Sequence, residues 1–180
     1  MQIIYVLQAQ GLGDNEYEFY NVGVYDSISN LERAKQNFTQ EWAAGGLEDP
    51  ELEALSVTTV SGSVINYRIE VAKTPEQMQR GLMFRDSMPA DQGMLFIYVP
   101  ARPARMWMKN TILSLDMLFV DEDGIIINVA ENTTPYSVDT ISSAGPVRAV
   151  IELNAGQVAT NGIAAGDRVT HPLFEKPEAN

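Results

Sequence analysis

The sequence predicts a mainly β protein: a compact antiparallel β barrel or sandwich with one or two short helices, preceded by a small acidic α+β unit. Three observations predict it. Short apolar runs bounded by Gly, Pro or Asp recur from Val64 to His171, and many short strands with tight turns make a barrel or sandwich. Apolar residues make up 45% of the chain and charged residues 20%, which supplies a packed core and argues against a disordered chain. A Ser61-Gly62-Ser63 break divides residues 1–60 from the β-rich remainder, which fits a chain of 180 residues carrying one domain of about 110 residues and an appendage.

In the first part, Ile3–Leu7 is a short apolar run and Tyr17–Tyr25 alternates large and small residues. Gly11-Leu12-Gly13-Asp14-Asn15 lies between them, a strong turn signal, so the pair reads as a β-hairpin. Ser29-Asn30-Leu31-Glu32 fits a capping box, and Leu31, Ala34, Phe38 and Trp42 recur at spacings of three and four, predicting a helix that ends at Gly45-Gly46. A strand from Ala54 to Val60 completes a β-β-α-β unit over 1–60.

In the second part, Val64–Ala72 is the first strand. Thr74-Pro75-Glu76-Gln77 then places Thr at the N-cap, Pro at the first helical position and Gln three residues beyond the cap, predicting a short helix to about Gly81. Further strands are expected at Met94–Val99, Arg105–Lys109, Leu115–Val120, Ile125–Ala130, Val147–Leu153 and Asp167–His171. Asp121-Glu122-Asp123-Gly124 lacks the ligand ladder and distal Glu of a calcium loop, and its Asp-Gly step reads as a hairpin turn. Residues 131–146 are rich in Ser, Thr, Asn and Pro without periodicity and read as a lid or binding loop, and 175–180 as a polar tail.

The net charge of −12 is unevenly placed: residues 1–56 hold ten acidic side chains against Arg33 and Lys35. Such a field repels phosphate backbones and anionic lipid, so neither nucleic acid nor a membrane is an expected partner. The absence of cysteine excludes disulfides and thiolate chemistry. Met1–Leu7 lacks a basic n-region and its apolar run is cut by Gln8, so the start does not read as a signal peptide and the expected location is cytoplasmic. Neither a P-loop nor a dinucleotide fingerprint occurs, His171 is the single histidine, and the methionines sit in apolar runs, so no cofactor and no metal is expected.

Val71-Ala72, Arg80-Gly81-Leu82-Met83-Phe84-Arg85, Gly93-Met94-Leu95-Phe96, Trp107-Met108-Lys109-Asn110-Thr111 and Leu115-Asp116 follow one another in that order. Glu152-Leu153-Asn154-Ala155-Gly156, Asn161-Gly162-Ile163 and Gly166-Asp167 close the series. Over residues 62–174 this pattern resembles the bacterial and archaeal family catalogued as domain of unknown function 192. The resemblance implies a compact, mainly antiparallel barrel-like fold and brings no enzymatic activity with it. Members of that family are often exported behind a signal peptide, usually lack residues like 1–60, and typically carry proline where this chain has Ser114.

Asp116 lies in a run that is apolar on both faces, so its carboxylate needs a cation or a raised pKa, and Lys109 is the nearest partner in sequence. Glu152 shares a strand face with Val150 and Arg148, its local neutraliser. In the functional reading, Arg85, Trp107, Lys109, Asn110, Asp116 and Glu152 converge on one polar pocket, with Trp107 as a stacking face on the parity of Lys109. In the structural reading the same groups are ion pairs and caps that hold barrel corners.

Three functions follow, and the sequence leaves open whether the protein is an enzyme. The leading one is a non-catalytic binding or accessory domain for a polar small molecule or a protein partner, with the N-terminal unit as interaction module. The others are a structural subunit of a larger assembly, such as a phage or particle component, and a hydrolase of sugar-like substrates using Asp116 and Glu152. The oligomeric state is not legible.

Overall fold

The computed structural model describes residues 4–12, 16–25 and 51–175. The chain divides into two units, Met1–Asp49 and Pro50–Asn180. In the first, β1 (Ile4–Leu12) and β2 (Glu16–Tyr25) pair antiparallel with a register shift between Val6 and Leu7. This is the expected hairpin, with β1 running on past Leu7 because Gln8 to Leu12 each find a partner on β2. The helix expected over Leu31–Trp42 lies outside the described residues.

The second unit contains β3 (Leu52–Thr58), β4 (Val64–Ala72), α1 (Pro75–Arg80), β5 (Gln92–Met106), β6 (Leu115–Val120), β7 (Ile126–Ala130), β8 (Ile141–Asn154), α2 (Gln157–Asn161) and β9 (Arg168–Thr170). Its strands form one seven-stranded sheet in the order β7-β6-β8-β5-β4-β3-β9. The two edges meet: Ile125 bridges Arg168, and the Val169 amide donates to the Gly124 carbonyl at 2.7 Å. The sheet therefore nearly closes into a barrel, which removes exposed edges. No described helix is long and apolar enough to cross a membrane.

Only β4 and β5 are parallel neighbours. A parallel pair needs a crossover, and α1 begins it. Its start is the expected capping box: the Gln77 amide donates to Thr74 Oγ1 at 3.2 Å, and the Thr74 amide donates to Gln77 Oε1 at 3.0 Å.

Strand alternation gives the sheet two apolar faces. Leu55, Ile69, Leu95, Leu118, Ile126, Ile151 and Val169 contribute to one buried cluster, one from each strand, so this is the barrel interior. Ala72, Met94, Phe96, Leu115, Met117, Phe119 and Val150 form a second cluster on the outer face of β4, β5, β6 and β8, joined by Leu82 and Met108 from outside the strands.

Three elements differ from the sequence expectation. The strand expected to complete the N-terminal unit is β3, which pairs with β4 and β9; Ser61-Gly62-Ser63 is the turn of the β3–β4 hairpin, with the Gly62 amide donating to the Thr59 carbonyl at 2.9 Å. A glycine-centred break marks a tight turn as readily as a boundary. The strand expected at Arg105–Lys109 ends at Met106, and the chain then turns at Lys109-Asn110, where Asn110 has a left-handed φ of 56° and the Thr111 amide donates to the Met108 carbonyl at 3.0 Å. Ile141–Pro146, expected as loop, opens β8, with Ser142 pairing with Arg105.

Candidate functional site

On the outer face, the register aligns Glu70 of β4, Met94 of β5, Glu152 of β8 and Met117 of β6 in one lateral row. The next row is Ala72, Phe96, Val150 and Phe119. Two carboxylates thus stand in an otherwise apolar layer, one strand apart on either side of Met94.

Their environments differ. Glu70 is bound by both guanidinium nitrogens Nη1 and Nη2 of Arg85, a bidentate pair that carries the loop after α1 onto the sheet. Glu152 is only 4% exposed and its Oε2 has no hydrogen-bond partner. Burial pushes its carboxyl up to about 8, with no charged neighbour among the causes. At neutral pH Glu152 is therefore a neutral acid, able to donate a hydrogen bond as well as accept one.

Glu152 forms the floor of a cleft of about 250 Å³. Leu82, Phe96, Met78 and Met106 wall it, Tyr98 and Trp107 flank it, and Arg80 and Arg105 supply its cations. Arg80 ends α1 and is half-buried; burial, then the charge of Arg85, lowers its pKa, opposed by Glu70. Burial raises the Tyr98 phenol, which the nearby Arg102 opposes and Glu152 reinforces, and its hydroxyl donates to Met106 Sδ at 3.4 Å. Trp107 is 48% exposed, with Lys109 Nζ 5.2 Å from its ring centroid, a cation–π contact.

Of the six sequence candidates, Trp107 and Glu152 line this cleft together, and Lys109 reaches its mouth through the Trp107 ring. Arg85 is engaged by Glu70 on the same face. Asn110 holds the turn: its carbonyl accepts from the Phe84 amide at 2.9 Å, and its Nδ2 lies 3.9 Å from Met83 Sδ. Asp116 stands elsewhere. Its register partner is Leu153, a barrel-interior residue, so the carboxylates of Asp116 and Glu152 point to opposite faces of the sheet. Asp116 is fully buried, and among the described residues neither Lys109 nor another cation forms an ion pair with it; the amides of Asn132 and Val158 donate to its two oxygens at 2.8 and 2.9 Å. Val158 lies in the first turn of α2, so the carboxylate serves that helix's free amides. No ion pair joins Glu152 to Arg148 among the described residues.

Loops adjoining the lining residues Met83 and Thr111 hold unusual backbone. Phe84 at φ 64° and Tyr136 at 62° adopt a left-handed conformation that aromatic residues rarely take, and Asn110, of a type that takes it more readily, does so at 56°. Hydrogen bonds hold them: the Phe84 amide to the Asn110 carbonyl at 2.9 Å, and the Tyr136 amide to the Thr111 carbonyl at 3.1 Å. Such strain persists where surrounding structure enforces it, often at binding sites.

Several contributors escaped sequence reading. Glu70 reads as the polar position of an alternating strand, Arg80 as a solvated helix end and Arg105 as an edge cation. Asp167, 2% exposed, accepts from the amides of Val60 at 2.8 Å and Ala164 at 2.7 Å and fixes the closing corner. His171 is buried and accepts from the Leu173 amide at 3.2 Å. Its Nε2 lies 3.2 Å from Glu53 Oε2, outside hydrogen-bond geometry. Among the described residues no cluster of three or more His, Asp or Glu side chains could hold a metal ion.

With the geometry placed, comparison with known proteins identifies the lineage. The family model for domain of unknown function 192, described as an uncharacterised ACR, matches residues 56–171. The chain belongs to the DUF192 family. The DUF192 match spans β3's end to His171 and includes every residue of the cleft. A crystal structure of a proposed transcription regulator from Sinorhizobium meliloti 1021 is similar at 44% identity and a TM-score of 0.67, covering 69% of this chain and 97% of that one. A protein of unknown function from Novosphingobium aromaticivorans DSM 12444 is similar at 36% identity and a TM-score of 0.66, covering 70% and 89%. No curated protein matches the chain.

Proposed function

We propose that this DUF192 domain is a non-catalytic binding module whose ligand site is the Glu152 cleft, and that the acidic N-terminal residues serve as its protein-interaction module. The observation that carries the reading is the unpartnered Oε2 of Glu152 at the floor of an apolar cleft. A buried polar atom without a partner costs on the order of 1–3 kcal/mol, and a ligand group that bonds to it recovers that cost. The site has the makeup of a small-molecule site: apolar and aromatic walls with a few convergent polar groups. Binding is preferred to a two-carboxylate hydrolase because Asp116 faces the other side of the sheet with both oxygens engaged.

The test is a fragment library screened by ligand-observed NMR against the full chain, Trp107→Ala and Glu152→Leu. Fragments that bind the wild type and are lost from both folded variants support the reading. The same hits on all three proteins, or none on any, overturn it.

A further inference from the structure

The cleft is graded from mouth to floor. Arg105 is exposed, Arg80 is half-buried, and Glu152 is 4% exposed. Met78, Leu82, Phe96, Met106 and Trp107 make most of the lining apolar or aromatic, with Gln79 and Thr111 also on it. Arg80, Arg105 and Glu152 share this one lining, and their exposures set the two cations toward solvent and the acid toward the interior. A ligand entering from solvent meets the more exposed cations first and the buried, unpartnered Oε2 of Glu152 last.

Resting on the binding reading above, we infer that the site takes small elongated carboxylates: the carboxylate on Arg80 and Arg105, an apolar or aromatic body along Phe96 and Trp107, and a distal hydrogen-bond acceptor on Glu152. Planar guanidinium groups match a carboxylate's two oxygens. An amine of the same shape must pass both arginines, which repel it, to reach the acid. The volume of about 250 Å³ lies just below the usual range of small-molecule sites and suits a body of about a dozen heavy atoms.

The far end requires an acceptor because the acid carries its proton. The titratable groups on the elements packed about the cleft are Arg80 of α1 and Arg105 of β5 toward its mouth, Tyr98 of β5, and Glu70 of β4 paired with Arg85 of the loop after α1, while Met117 brings none from β6. The ordinary carboxyl value of 4.5 is raised to about 8 by burial, so the donor form persists through neutral pH and is lost above about 8. A ligand that uses this donor binds less tightly once Glu152 ionises.

Three matched probes separate these elements by titration calorimetry on the full chain: 3-(4-methoxyphenyl)propionate, its isostere 3-(4-ethylphenyl)propionate, and 3-(4-methoxyphenyl)propylamine. At pH 6.5 the methoxy acid should saturate the protein, the ethyl acid should bind about tenfold more weakly, and the amine should not bind. Arg105→Gln and Arg80→Gln should each weaken the methoxy acid about tenfold. Raising the pH to 9.5 should weaken it about tenfold for the wild type and leave Glu152→Gln, whose amide still donates, unchanged. Binding of the amine in preference to the acids, equal affinity of the two acids, or affinity unmoved by both arginine variants overturns the inference while leaving the cleft a ligand site. Failure of all three probes also overturns it, and the fragment screen then decides independently whether the cleft binds anything.

Discussion

Glu70 and Glu152 lie in the same lateral row of one sheet face, separated by Met94, yet Glu70 is gripped by Arg85 while Oε2 of Glu152 has no partner. The first is a structural ion pair. The second is an acid kept neutral by its surroundings, and its titration is coupled to folding.

The sign of that coupling is fixed by the direction of the shift. Glu152 moves from 4.5 in the unfolded chain up to about 8 in the fold, so between those values the native state holds a proton that the unfolded state releases. Its contribution is fully present below about pH 4.5 and declines as the pH rises to about 8, by at most roughly 5 kcal/mol. Glu152→Gln should abolish this decline and be more stable than wild type at pH 8 by a few kcal/mol. Urea unfolding at intervals from pH 5 to 9 measures the difference between the two proteins. His171 and Glu53, both lowered, add slopes of opposite sign that are common to both proteins and cancel. Parallel curves would show that Glu152 does not titrate as its burial requires.

Arg85→Met should leave Glu70 buried beside an apolar side chain. The Glu70 side chain is 10% exposed and that of Arg85 29%, so solvent softens the penalty of a fully buried broken pair, and about 2–3 kcal/mol is expected. Adding Glu70→Leu should restore much of the loss, since an apolar pair suits this face. A double-mutant cycle in denaturant checks both, and strict additivity would mean that the pair is not coupled.

Local chemistry was legible and long-range registry was not. The Thr74–Gln77 capping box and the Asp121–Gly124 turn, where the Ile125 amide donates to Asp121 Oδ1 at 2.8 Å, follow from residues within four positions of one another. Burial of Asp116 and Glu152 also followed from alternation. That they face opposite sides did not, because it depends on pairing Asp116 with Leu153 and Met117 with Glu152 across 36 or so positions of chain. The Arg85–Glu70 pair and the Arg80 and Arg105 cleft depend on the α1 crossover in the same way. Trp107 and Lys109 share a face as expected, but through a turn and a ring contact in place of strand parity. Ser142 to Pro146 has poor strand propensity and is held extended by pairing with the second half of β5.

Gly93 should tolerate no side chain. An added Cβ would lie 2.5 Å from the Glu152 carbonyl oxygen and 2.8 Å from Leu153 Cδ2, and the first of these is backbone that cannot swing aside. Gly93→Ala should therefore push β5 from β8 directly beside the cleft floor and cost about 2–3 kcal/mol. A midpoint shift of that size in thermal unfolding is expected, and a neutral effect would show that the two strands can part without loss.

Asp116→Asn separates a structural from a catalytic role for that carboxylate. Asp116 offers two acceptor oxygens to two backbone donors, the amides of Asn132 and Val158. Asparagine keeps one acceptor and turns an NH2 group toward the other amide, leaving a buried donor facing a donor. The expected cost is about 2–4 kcal/mol, since charge-assisted bonds are lost in a fully buried site. The damage should be local first: hydrogen exchange should speed up at Val158 and through α2, and at Asn132, before the barrel strands respond. Asp116→Ala should be worse, adding a cavity to two unsatisfied amides. A folded Asp116→Asn protein with native exchange at both amides would show that the carboxylate does not hold them, and would return Asp116 to the list of residues available for chemistry.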